Sequence, residues 1–378
     1  MWRAVWALIG ASIAAFALAG CGAGAPLPPA QADAAARERE KQAFVEALKP
    51  RRSGRPVVVV LALNEGTETT DLLLPHAVLR RADVADVRIV APKSGRVALY
   101  PALQVDGAQD FASFDRAHPS GPDYVIVPAM IVEDDPAVAA WLQQQAARGA
   151  RVIGVCSGAL VVGHAGLLDG RRFAGHWYDR KTLLKRHPGS TYVPHQRYVM
   201  DRDVATTTGI TASVPTMLAL VEAMGGPEKA KSMAAELGVA SWSPEHDSAP
   251  FGLDVKRGSS YLLNKAAFWR GEQAQIDVQN GTDDIALALA ADAWTRTGHI
   301  SVDAASASGS VTLRSGLVLV TQPAREAATR LPLSASLKPV QQLDRTLCEI
   351  AARHGEARRD WVMQEMEYPG PGVAACAG

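Results

Sequence analysis

The chain has 378 residues, 39 basic and 39 acidic side chains, a formal net charge of +0 and 48% hydrophobic residues. That length and apolar content suffice for one large or two modest globular cores. The balanced charge provides no electrostatic footprint for DNA or RNA, so a nucleic-acid partner has no support in composition.

Arg3 precedes an uncharged apolar run from Ala4 to Ala19, closed by Leu18-Ala19-Gly20-Cys21. A short positive start, an apolar stretch too short for a comfortable span and small residues before a cut describe a secretory signal. Leu-Ala-Gly-Cys resembles the lipobox of bacterial lipoproteins, in which the cysteine is lipidated and becomes the mature N-terminus. Residues 1–21 are therefore expected to be a signal peptide, with Cys21 the lipidation site. The protein is placed in the bacterial cell envelope, lipid-anchored to a membrane and facing the periplasm. An ordinary signal peptide or a single anchor helix remains the alternative. Residues 22–54 read as an Ala/Pro/Gly-rich tether and a short solvated helix from about Ala32 to Leu48.

From Arg55 the pattern alternates strand and helix. Pro56 to Leu63 is a continuous β-branched run, as in a strand covered on both faces. Asp71 to Arg81 has helical spacing, Val87 to Ala91 is a strand, Val97 to Val105 a short hairpin, Tyr124 to Pro128 a third apolar strand, and Pro136 to Arg148 a helix. Strands separated by helices of this length imply a parallel sheet sandwiched by helices, of flavodoxin-like type, with ligands at the carboxyl ends of the strands.

At such an end stands Val152-Ile-Gly-Val-Cys156-Ser-Gly158-Ala-Leu-Val-Val-Gly163. An apolar strand, Gly-x-Cys-x-Gly and an immediate small-residue helix describe a nucleophile elbow, a sharp strand-to-helix bend carrying the nucleophile. The bend puts the sulfur near a helix N-terminus, which favours a thiolate. A small buried structural cysteine is the alternative. Val204 to Gly209 is a further strand and turn, and Ser213 to Met224 a helix stopped by Gly225-Gly226, which closes a domain over 55–226.

The extension, 227–378, is less legible. Asp284 to Thr297 is a helical pattern, Ile300 to Ala304 a strand, Val311 to Val320 hairpin-like, and Pro339 to Arg353 and Arg358 to Met366 terminal helices. The order helix, strand, hairpin repeats that of 71–105, so this α/β extension reads as a degraded partial repeat. Chance likeness between two α/β stretches stays open. Cys348 and Cys376 could pair in an oxidising envelope, which sequence alone does not test.

The elbow and its surroundings resemble the DJ-1/PfpI superfamily of class I glutamine-amidotransferase-like domains over roughly 55–226. Gly154 to Leu160, Ala165 to Arg171 and Gly175-His176-Trp177 look like its isocyanide hydratase branch and equally like the front domains of AraC-type regulators. The resemblance puts Asp71 where that branch keeps a carboxylic acid against the cysteine. A protonated Asp71 would hydrogen-bond the sulfur and serve as general acid, unless it is simply a helix N-cap. Ser157 would offer its N–H to an oxyanion and its hydroxyl to the sulfur or to Asp71. Ala129, Gly158, His176 and Thr211 complete the expected oxyanion site and pocket, with His176 more structural than acid/base. The other histidines are read as surface residues.

Pro128-Ala129-Met130 replaces the family's Pro-Gly-Gly, which raises the prospect of Met130 intruding on the pocket. Pro215 stands where the branch commonly has an acidic residue. Serine after the cysteine, where a peptidase branch has histidine, makes peptidase activity a poor fit. No metal or organic cofactor is implied. Two functions compete: a hydratase- or lyase-type enzyme on a small electrophile, and a non-catalytic small-molecule-binding or redox-sensing envelope protein. A regulator-like role ranks below both. Relatives often dimerise, although the extension could occupy that surface.

Overall fold

The computed structural model describes residues 29–252 and 271–370, so the signal segment, Cys21 and Cys376 lie outside the described residues. Cys348 is disulfide-bonded and Cys156 is free. In chain order the first part comprises α1 (Pro29–Leu48), β1 (Val57–Leu61), β2 (Thr67–Glu68), α2 (Thr69–Ala82), β3 (Asp86–Ala91), β4 (Gly95–Tyr100), β5 (Gln104–Asp110), α3 (Phe111–Ala117), β6 (Tyr124–Val127) and α4 (Pro136–Ala147). It continues with β7 (Arg151–Gly154), α5 (Gly158–His164), β8 (Arg172–Phe173), α6 (Arg180–Arg186), β9 (Thr191–Tyr192), β10 (Tyr198–Asp201), β11 (Val204–Thr207), α7 (Ser213–Gly225) and α8 (Pro227–Leu237).

The run Val57 to Leu61 forms the middle of a sheet ordered β10-β11-β7-β6-β1-β3-β5, parallel apart from the edge strand β10. Side chains alternate faces along a strand. Val58 and Val60 therefore pack with Leu72, Met217 and Leu218 of α2 and α7, and Val59 and Leu61 with Trp141, Leu142 and Val162 of α4 and α5. Two apolar faces on one strand explain its lack of alternation. The architecture is the flavodoxin-like α/β sandwich expected.

Helix α1 is less solvated than expected. Phe44, Val45 and Leu48 are buried, Phe44 lies against Tyr198 with ring centroids 4.1 Å apart, and Tyr124 Oη donates to the Leu48 carbonyl.

Beyond the first part come β12 (Glu272–Asp277), α9 (Asp284–Arg296), β13 (Ile300–Ala305), β14 (Ser310–Thr312), β15 (Val318–Val320), β16 (Thr329–Arg330), α10 (Gln341–His354) and α11 (Glu356–Met366). Pro339 precedes α10 rather than sitting in its first turn, because Val340 is the cap. The order strand, helix, strand, hairpin, strand of β1, α2 and β3 to β6 is matched here, without counterparts of β2 and α3. β12 lies between parallel neighbours β13 and β16, as β1 lies between β3 and β6. α9 links β12 to β13 as α2 links β1 to β3, and β14–β15 is an antiparallel hairpin like β4–β5. The two hairpins join edge to edge, with Leu319 opposite Val105, and α9 packs on α2. This docking brings Arg296, the last residue of α9, against the start of α2.

Candidate active site

β7 stops at Gly154, α5 starts at Gly158, and between them Cys156 adopts φ 53°. A non-glycine residue in the left-handed region is held there by its surroundings at a cost of about 1 kcal/mol or more. Part of the hold is Thr207, whose Oγ1 accepts from Cys156 N–H at 3.0 Å and donates to the Thr208 carbonyl at 2.9 Å. The flanking glycines serve close approach. A Cβ on Gly158 would stand 1.9 Å from the Val127 carbonyl oxygen, and one on Gly154 would stand 3.2 Å from Ala159 N.

Asp71 is fully buried in the first turn of α2 but is not its cap. Glu68 is the cap, accepting from Asp71 N–H at 2.6 Å and from Thr70 Oγ1 at 2.7 Å. That leaves the Asp71 carboxyl free of the capping role. Its Oδ2 accepts from Ala129 N–H at 3.2 Å, while Oδ1 is sealed from solvent with no hydrogen-bond partner. Burial, then the neighbouring Glu68, raises Asp71 well above the usual carboxylate range, which favours its protonated form.

The sulfur's surroundings differ from the expected thiolate trap. Cys156 is only 5% exposed. Burial first, then Asp71, Glu68 and Asp179, raises its thiol, with Arg296 acting in the opposite direction. A seven-residue helix N-terminus does not outweigh those effects. Cys156 therefore rests as a thiol.

Several expected partners are arranged differently. Ser157 Oγ lies 4.0 Å from Sγ and donates to Asp179 rather than to Asp71. Burial pushes Asp179 up to about 6. The Ala129 N–H, expected as an oxyanion donor, is engaged by Asp71. Ala129 O accepts from Glu68 N–H at 2.8 Å, and Met130 bridges to Thr67, so Pro128-Ala129-Met130 runs as an extended segment. Met130 packs among Leu63, Phe114 and Val127 and does not intrude on the cleft. His176 is buried and pushed down to about 4 by desolvation, hence neutral; its Nδ1 accepts from Tyr178 N–H at 3.3 Å and its Nε2 lies 3.0 Å from the Glu365 carbonyl. Thr211 Oγ1 donates to the Glu367 carbonyl at 2.9 Å. His76, His187 and His246 are buried, contrary to the surface reading.

Sequence reasoning missed a buried charge cluster. Arg296 Nη2 donates to Glu68 Oε1 at 2.8 Å, its Nε stands 2.9 Å from both Asp292 oxygens, and Nη1 lies 3.4 Å from Glu365 Oε2. Burial, then Asp292, pushes Glu68 up to about 7 despite that guanidinium. In sequence, Asp292 and Arg296 resemble an ordinary exposed i,i+4 pair, and only the docking of α9 on α2 makes them part of the site. A small cleft is lined by Ser157, His176, Trp177, Tyr178, Arg296 and Glu365. Among the described residues no three His, Cys, Asp or Glu side chains converge as metal ligands would.

Residues 56–223 match the DJ-1/PfpI family. Isonitrile hydratase of Pseudomonas putida is 33% identical over 111 residues, which is 29% of this chain and 47% of that protein. The HTH-type transcriptional regulator CdhR of Pseudomonas aeruginosa is 29% identical over 125 residues, 33% of this chain and 37% of that protein. The chain thus spans less than half the length of these curated relatives. Among solved structures, Drosophila melanogaster DJ-1beta is 20% identical, covering 50% of this chain and 100% of its own, with a TM-score of 0.44. A THiJ/PfpI family protein from Pseudomonas syringae is 25% identical, covering 50% of this chain and 76% of its own, with a TM-score of 0.43. With this family match over the parallel sheet and its elbow cysteine, residues 56–223 are a DJ-1/PfpI family domain.

Proposed function

We propose that this domain is a cysteine-dependent hydratase- or lyase-type enzyme acting on a small electrophile. The observation that carries the reading is Asp71: a buried carboxyl raised toward its protonated form, with one oxygen lacking any partner, within electrostatic reach of a nucleophile held at positive φ. A carboxyl serving only as structure would have both oxygens satisfied. In the reaction, Cys156 sulfur attacks the electrophilic carbon of a C≡N- or C=O-type group. Asp71 gives its proton to the atom that becomes electron-rich and takes up the proton lost by the thiol. Water then attacks the same carbon, the C–S bond breaks and sulfur recovers a proton, so one water has been added. The Ser157 N–H would receive developing negative charge. The similarity to isonitrile hydratase supports an isonitrile as the first substrate to assay.

With a small isonitrile, Cys156→Ala is expected to abolish turnover, and Asp71→Asn to lower it by about 10²–10⁴-fold. Iodoacetamide should still alkylate Cys156 in Asp71→Asn, since Asp71 is among the groups that raise the thiol and its removal does not disfavour the thiolate. In wild type the alkylation rate should keep rising above the ordinary thiol range of about pH 8.5, because the folded-state thiol is raised. Turnover in wild type no greater than in Cys156→Ala would remove the enzyme reading. One observation favours the alternative of a non-catalytic binding protein: Asp71 already occupies the Ala129 N–H that an oxyanion would need.

Lipid anchoring at Cys21 is part of the proposal and rests on Leu18-Ala19-Gly20-Cys21. Metabolic labelling with a fatty-acid analogue should mark wild type and spare Cys21→Ser.

A further inference from the structure

The cleft is lidded by the end of the chain's own helix α11, and one side chain there is held against several penalties. Glu367 follows α11 at φ 51°, a left-handed conformation that a glutamate adopts at a cost. Its carboxyl is removed from water, the residue being 1% exposed. Docking of the helix does not require this, since Val362 and Met366, both fully buried, already seat its apolar side. The carboxyl instead enters a shaped receptor. Gly209 N–H donates to Oε2, and the Trp177 backbone N–H donates as well. Gly209 has an ordinary negative φ of −62°, so the turn does not demand glycine. Space does: a Cβ there would lie 2.5 Å from Glu367 Cβ and 2.7 Å from Oε2. On the far side His246, itself buried, has an Nε2 with no hydrogen-bond partner, 4.0 Å from Glu367 Oε1. Neighbouring groups are satisfied by main-chain carbonyls of the same segment: Trp177 Nε1 donates to Gln364 O at 2.8 Å, His176 Nε2 lies 3.0 Å from Glu365 O, and Thr211 Oγ1 donates to Glu367 O.

We propose that the Trp177 and Gly209 N–H groups, with His246 opposite, form a carboxyl-binding subsite next to the cleft lined by Ser157, His176 and Trp177, which Glu367 fills as a stand-in for the carboxyl group of a small organic acid ligand. The proposal rests on the reading of the cleft as a small-molecule site and assigns the ligand's chemical class. Ligand entry then requires the end of α11 to withdraw. The donors it releases, the indole of Trp177, His176 and Thr211, are available to further acceptor atoms of the ligand.

The test compares full-length wild type with Glu367→Gly, which removes the carboxyl and permits the positive φ. Acetate is the probe and acetamide its neutral counterpart. Acetate should bind Glu367→Gly about tenfold or more tighter than wild type by saturation-transfer NMR and raise its Tm, while acetamide does neither. Equal acetate binding by the two proteins, or equal binding of acetate and acetamide, overturns the proposal. If Glu367→Gly does not fold, wild type alone decides. Sodium acetate should accelerate iodoacetamide alkylation of Cys156 relative to sodium chloride of the same ionic strength by opening the lid, and no acceleration overturns the proposal equally. Acetate binding by Glu367→Gly should survive Cys156→Ala, which separates this subsite from the catalytic reading: turnover can fail while the subsite stands, and the reverse.

Discussion

Gly158→Ala is expected to destabilise the protein by about 3 kcal/mol, at the upper end of what overpacking costs. The added methyl would fall 1.9 Å from Val127 O, 2.9 Å from Val127 C and 3.0 Å from Pro128 C. All three are main-chain atoms at the end of β6, so no side chain can rotate aside. Either α5 or β6 must shift, and Val155 N–H donates to that same Val127 oxygen at 2.9 Å. Displacing α5 therefore moves the residue before Cys156 and breaks the hold on its left-handed backbone. The expected result is a fall in Tm of about 5–10 °C and faster alkylation of the sulfur as its packing loosens. Gly252→Ala is the control, since nothing lies within 4 Å of the point where its added methyl would stand and its φ is not positive; it should change stability by less than about 0.5 kcal/mol. Equal stability of the two variants would mean that helix and strand are not in contact at the elbow.

The elbow was legible because its chemistry is local. A β-branched run, two glycines two residues to either side of a cysteine and a small-residue helix all lie within one short stretch, and strand–bend–helix is their consequence. The sheet was legible for a similar reason: Val57 to Leu61 lacks alternation because both of its faces meet helices. Asp71 was placed through family resemblance. Local rules made it a plausible N-cap, and what separates the two readings is Glu68, three residues earlier, which takes the cap.

What escaped was everything made by distant contacts. Asp179 reaches Ser157 across the cleft, Glu367 reaches Gly209 from 158 residues away, and Arg296 reaches Glu68 from 228 residues away. None of these has a spacing signature. The effect on charge was misjudged for the same reason. A helix N-terminus argues for a thiolate, but three carboxyl groups and burial, visible only after folding, act more strongly in the opposite direction.

Arg296→Met should be the most damaging single change outside the elbow, and its cost should depend on pH. The guanidinium is the cation that touches both Glu68 and Asp292, each almost entirely buried. Removing one partner from a buried ionic cluster leaves uncompensated charge and costs about 3–5 kcal/mol, whereas removing all members together is far milder. Glu68 is already raised by burial to about 7, and its pairing with Arg296 works against that rise. Without the cation, Glu68 and Asp292 must be raised further. A carboxyl whose folded-state pKa lies above its unfolded value contributes stability when protonated, and loses it as pH climbs through the folded value. The variant's deficit should therefore be small near pH 5, where Glu68 can hold its proton, and approach the full figure near pH 8. Urea unfolding at the two pH values measures this directly. Arg296→Lys keeps the charge but not the planar fork that reaches several carboxyl groups, and should fall in between. Alkylation supplies a reading that a purely structural role would not move: because Arg296 opposes the carboxyl groups that raise Cys156, its loss should slow thiol modification at pH 8 in protein that is still folded. A deficit that is the same at both pH values, with alkylation unchanged, would reduce Arg296 to a fastener between α9 and α2; a pH-dependent deficit makes the extension part of the electrostatics that set the acid–thiol pair.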